Sequence, residues 1–259
     1  MHVLLPRILL NLSGRVGLAI LLLSCGLETY VYLNPINIDS VKPEITLGNG
    51  YYQFSHNTDN DIDEFLGYEI FYKFYPAGTT TPFTPIEGDR ASLENRYIPT
   101  LTPLSEKKFQ RLRLVALDGL SAGKEIGTAP PLLPISSGEK DTGWVYRLDF
   151  RPLLNSPSEP PELVRLKADG STIDATYRIL RAPRQGSTNE ETFTPLEIKV
   201  EDPDITSMGL KEFVSNRGKL AVVFVVLAYG RRMDGLYIYS NAIFLNRSST
   251  MDDVMVIDL

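Results

Sequence analysis

Thiol and imidazole are nearly absent from this chain. Its 259 residues hold one cysteine, Cys25, two histidines, His2 and His56, and one tryptophan, Trp144. A single thiol closes no internal disulfide, so stability must come from packing. So few Cys and His cannot supply the ligands of a zinc site. No Gly-x-Ser-x-Gly elbow occurs, and there is neither a phosphate-cradling Gly-x-x-x-x-Gly-Lys-Ser/Thr loop nor a dinucleotide fingerprint. No cofactor is therefore expected. Clustered positive charge is also missing: Arg231-Arg232 is only a pair, and 26 basic residues stand against 32 acidic ones. An acidic chain is repelled by phosphate backbones, which excludes nucleic acid as a partner.

What is present begins at the N-terminus. Arg7 and Arg15 precede Val16–Ser24, an apolar run with no acid before it. The uncharged window from Val16 to Leu27 holds 12 residues before Glu28 closes it. A spanning helix needs about 20, so a cleaved secretory signal fits better. The segment Leu22-Leu23-Ser24-Cys25 resembles the lipobox of bacterial lipoproteins, spirochaete lipoproteins included. Leu23 departs from the small residue usual at its position. The resemblance implies that residues 1–24 are a signal peptide and that Cys25 is the first mature residue, carrying diacylglyceryl and fatty-acyl (palmitate-type) chains. The partner would then be the lipid bilayer, reached through acylated Cys25. The place would be the bacterial cell envelope, on its periplasmic or surface face. Two or more acyl chains anchor stably without a basic patch. After cleavage 24 basic residues face 32 acidic ones, a net charge of −8.

Beyond the leader the chain reads as all-β. Residues 25–42 form the lipidated N-terminus and tether. In Phe65–Tyr75, Tyr68, Ile70, Tyr72 and Phe74 alternate with Glu69, Phe71, Lys73 and Tyr75, which predicts a strand half-buried against a core. Residues 76–90 read as a Thr/Pro/Gly loop. Phe109–Leu117, Leu163–Lys167, Ala175–Arg181 and Pro195–Val200 alternate as further strands. Leu220–Tyr229 is apolar almost throughout, β-branched and aromatic, which suits a central strand covered on both faces. Tyr237–Leu245 is the last strong strand.

Two halves of similar size and cadence suggest two sandwich modules, with a polar boundary in 134–143. Phe65–Lys73, and Tyr239–Leu245 as a final strand, resemble strands of fibronectin type III domains. That resemblance implies tandem immunoglobulin/fibronectin type III-like sandwiches at 43–136 and 143–248, with a C-terminal tail at 249–259. One continuous β-rich domain is the alternative.

The chemistry is legible mainly by omission. His56 lies in a polar loop, where a solvated or loop-capping imidazole is expected rather than a catalytic one, and no catalytic residue is assigned. Asp59, Asp61 and Asp63 begin like an EF-hand loop, but Glu64 stands where that loop needs Gly, and Ile70 where it needs Glu. A looser calcium site at these three aspartates is the only metal candidate. Phe71 and Tyr75 either form an exposed aromatic strip for a partner or lie beneath a loop. The expected function is a non-enzymatic binding or structural module anchored in the envelope, with room for an envelope protein partner. The alternatives are a carboxylate-dependent hydrolase and an assembly or chaperone-like subunit of an envelope complex.

Overall fold

Fourteen antiparallel strands in two sheets make up the computed structural model, which describes residues 31–37, 42–43, 50–77, 83–94, 100–182, 191–247 and 253–259. In chain order the strands are β1 (Lys42–Pro43), β2 (Tyr51–Ser55), β3 (Phe65–Ala77), β4 (Gln110–Arg111), β5 (Arg113–Ala116), β6 (Glu125–Ile126) and β7 (Leu133–Pro134). They continue as β8 (Val145–Asp149), β9 (Glu162–Leu166), β10 (Ile173–Leu180), β11 (Lys219–Arg231), β12 (Tyr237–Tyr239), β13 (Ile243–Phe244) and β14 (Met255–Asp258). The α-helices are α1 (Phe83–Leu93), α2 (Thr102–Glu106), α3 (Arg151–Asn155), α4 (Pro203–Met208) and α5 (Lys211–Ser215). The first sheet runs β1-β2-β8-β9-β10-β5-β6. The second runs β12-β11-β3-β4, with β13 and β14 also on β11 and β7 on β3.

The sheets pack face to face through aromatic rings. Tyr52 and Phe54 of β2 reach Phe224 and Tyr68 of the second sheet, with ring centroids 5.6 and 5.9 Å apart. Register places Tyr68, Ile70, Tyr72 and Phe74 beside Ala228, Val226, Phe224 and Val222 on that inner face. Directly opposed residues share a face, so the alternation read from the sequence is the alternation that packs. The other face of the second sheet carries Phe71, Tyr75, Val223, Val225 and Leu227, buried beneath Ile86 and Leu93 of α1, Leu104 of α2 and Phe244. Phe71 and Tyr75 are therefore not an exposed strip. Every residue from Leu220 to Tyr229 is buried, as expected for a strand covered on both sides.

The two tandem modules, 43–136 and 143–248, are not what the pairing gives. β3 from one half and β11 from the other pair along nearly their whole length, from Lys219 opposite Ala77 to Gly230 opposite Phe65. Residues 32–259 form one compact unit. The physical reason is hydrogen bonding: a long strand buried on both faces has no water for its backbone groups and needs a partner of equal length. β3 and β11 are both 13 residues.

Other boundaries shift for local reasons. The loop expected at 76–90 contains the start of α1, whose Ile86, Asp89 and Leu93 share a helical spacing and are all buried. Phe109–Leu117 is two strands, because the chain changes sheets at Leu112, whose N–H donates to Ile70 O (2.9 Å). Pro195–Glu197 is a 3-10 turn rather than a strand, with Pro at its first turn. Tyr237–Leu245 splits into β12 and β13. The residues after 252 are not a loose tail: β14 pairs with the start of β11. Nor is all of 25–42 a free tether, since Leu33 and Ile36 are buried in the domain.

Candidate functional site

A cleft of about 330 Å³ opens between the sheets. Its floor comes from four neighbouring strands. Tyr146 of β8 stands opposite Arg165 of β9, Arg165 opposite Ala175 of β10, and Tyr177 opposite Ala116 of β5. Tyr146 also stands opposite Phe54, so this set lies on the face turned toward the second sheet. Leu133 and Pro134 of β7 form the facing wall, and the Asp118–Ser121 loop forms the rim. β7 can close on β3 because Gly67, at φ +148°, has no side chain: a Cβ there would lie 2.1 Å from Leu133 O.

An arginine on the inward face of a sandwich is held by its neighbours. The Arg165 guanidinium lies 4.7 Å from the centre of the Trp144 ring, an attractive cation–π geometry. Its Nε donates to Asp174 Oδ2 (2.6 Å). Two donors beside it are unmatched. Tyr146 Oη and Trp144 Nε1 are buried and have no hydrogen-bond partner. Burial raises the Tyr146 phenol well above its ordinary range, against the lowering effect of the Arg165 charge. Tyr177 shifts upward for the same leading reason, again opposed by Arg165. Both phenols therefore stay protonated and keep a proton to donate. A buried donor without an acceptor costs on the order of 1–3 kcal/mol, which a ligand oxygen in the cleft would recover.

The sequence-predicted positions fall elsewhere. Cys25 lies outside the described residues. Asp59, Asp61 and Asp63 are exposed, and among the described residues no group of three Asp, Glu, His or Cys is placed to hold a metal. The three aspartates are thus not brought together as a ligand set. His56 is not solvated, but it does bind a loop, at the carbonyl that ends the Ser137–Glu139 turn. It is buried against Phe65, and its Nε2 lies 2.8 Å from Lys140 O. A carbonyl only accepts, so Nε2 carries the proton, and Nδ1 accepts from Tyr68 Oη (2.7 Å).

Burial holds His56 below the ordinary imidazole value of 6.5, with the Lys140 bond only partly opposing it. The unfolded chain therefore binds a proton at this site before the folded protein does, and stability falls as pH drops below 6.5. Denaturation midpoints measured across this range should slope more steeply for the native protein than for His56→Phe. Equal slopes would refute the assignment.

Two other features have some of the attributes of a site. Asp149 and Glu162 face each other across β8 and β9, an acid pair of the kind a hydrolase would need. Asp149, however, is bound by Arg151 Nε at 2.8 Å, and the pair does not line the Arg165 cleft. A second cleft, of about 410 Å³, lies near Pro195, Lys199 and Arg217, and none of its lining residues has an unmatched buried polar atom. Sequence reading missed the Arg165 site. β9 is apolar on both parities around Arg165, so alternation alone did not show which way the arginine points.

Comparison with known protein families, curated proteins and solved structures gave no significant match. Among the described residues no helix is long and apolar enough to cross a membrane.

Proposed function

We propose that this chain is a lipid-anchored binding protein of the bacterial envelope, non-enzymatic, which holds a small organic anion in the Arg165 cleft. One observation carries the binding half: the buried Tyr146 hydroxyl, beside a guanidinium, has no acceptor. An unmatched donor beside a guanidinium calls for a ligand that brings an oxygen acceptor, such as a carboxylate. The apolar wall of Leu133, Ile126 and Ala116 calls for an apolar body on the same molecule. Such a small set of polar groups in an apolar concavity is the ordinary make-up of a ligand site. The anchoring half is supported by the lipobox-like Leu22–Cys25.

Both halves are tested on the full-length protein. A set of small carboxylates screened by thermal shift should give a binder that raises the midpoint. Tyr146→Phe should weaken it by roughly tenfold, the effect of losing about 1.4 kcal/mol, without lowering the unliganded midpoint. Equal binding by Tyr146→Phe and Arg165→Leu would sink the cleft. Cys25→Ala should abolish labelled palmitate incorporation and release the protein from membranes; continued labelling would refute the anchor.

A further inference from the structure

The hairpin joining β11 to β12 is held by its own hydrogen bonds and exposes large apolar side chains. Arg232 N–H donates to Leu236 O (2.8 Å), Gly235 N–H to Arg232 O (2.9 Å) and Leu236 N–H to Asp234 Oδ1 (3.0 Å). The Arg231 guanidinium lies 5.8 Å from the centre of the Tyr237 ring. This framework presents Met233 at 99% exposure, Leu236 at 60% and Tyr237 at 55%. Two arginines and one aspartate give the tip a local positive charge, whereas the mature chain as a whole is negative.

The chain enters the domain beside this hairpin. Leu33 is buried and packs so close to Gly230 that a Cβ there would lie 3.1 Å from Leu33 Cδ1 and 2.4 Å from Glu64 O. The next residue is pinned: Asn34 N–H donates to Asn60 Oδ1 and Asn60 Nδ2 to Asn34 O, both at 2.8 Å. Leu33 stands eight positions after Cys25, a reach of at most about 28 Å when fully extended. An anchor at Cys25 would therefore hold the Gly230 end of β11, and the hairpin beyond it, close to the bilayer surface.

We propose that the 231–237 hairpin is a second membrane contact, with Met233 and Leu236 entering the headgroup region and Arg231 and Tyr237 resting at the interface. The inference rests on the acylation of Cys25 proposed above. Tyrosine and arginine suit that boundary because each has an apolar body and a polar end. One acyl anchor leaves a domain free to swivel, and a second contact fixes which end faces the lipid. The Arg165 cleft would then be held in one orientation to the membrane.

The test uses acylated protein reconstituted in vesicles of neutral and anionic phospholipid. A polarity-sensitive fluorophore is attached through Met233→Cys or, as the control, through Lys219→Cys. Lys219 lies at the far end of the same strand, about 40 Å away at the rise of an extended chain. The expected result is a blue shift and loss of most emission to spin-labelled lipid at position 233, and neither at 219. Adding Leu236→Asp should reverse the change at 233. Vesicle-bound, acylated protein whose label at 233 stays in water overturns the hairpin contact and leaves the anchor intact. Equal quenching at both positions overturns it as well. Protein without acyl chains by mass spectrometry overturns the anchor and the hairpin contact together.

Discussion

Arg181→Met is expected to cost about 3–5 kcal/mol of stability, as befits removal of one partner from a buried ion cluster. Arg181 is fully buried. One of its terminal nitrogens donates to both oxygens of Asp204 (3.0 and 2.9 Å), and the other donates to Asp202 Oδ2 (2.8 Å) and Glu197 O (3.1 Å). Its Nε donates to Thr192 O (2.6 Å). Tyr72 Oη closes the cluster, donating to Asp204 Oδ2 (2.6 Å) and accepting from Ala182 N–H (2.9 Å). The cluster thus ties β10 and α4 to the inner face of β3. Methionine would fill part of the volume but would remove the guanidinium that two buried carboxylates share. Charge, rather than shape, should dominate the loss. The combined variant Arg181→Met, Asp202→Asn, Asp204→Asn should recover part of it, since neutral amides are cheaper to bury than unpaired carboxylates. Urea denaturation of both variants measures the difference. A loss under about 1 kcal/mol for Arg181→Met, the range of exposed ion pairs, would show that the cluster is not isolated from water.

Phe224→Ala should cost a similar amount, about 3–5 kcal/mol, through a different mechanism. Phe224 sits mid-strand on β11, with ring centroids 5.6 Å from Tyr52, 5.4 Å from Phe150 and 5.9 Å from Phe193. Truncation forfeits the buried ring area and leaves a cavity among rigid aromatic walls that collapse poorly. Leu236→Ala on the exposed hairpin should change stability by no more than about 0.5 kcal/mol. Calorimetric midpoints of the two variants give the comparison. If they fell equally, the aromatic layer between the sheets would not be the main source of cohesion.

The sequence by itself fixed the class and the faces. Val, Ile, Phe and Tyr at a period of two made strands the only economical reading of Phe65–Tyr75, and the unbroken run at Leu220–Tyr229 required cover on both sides. Those properties are local, because each depends on where a side chain points from its own backbone. Which strands would meet was not local. β3 and β11 lie far apart in the chain, and either half could have been closed on itself by the same alternation. Only the tertiary structure decided that they pair, and with that a reading of two modules became one interleaved sandwich. The same limit governs the sites. His56 looked polar because its sequence neighbours are polar, yet Phe65, Tyr68 and Lys140 bury it. Arg165 and Arg181 read as ordinary strand arginines until the fold set one beside unmatched donors and the other between two aspartates. Side-chain direction is written in the chain; side-chain company is set by folding.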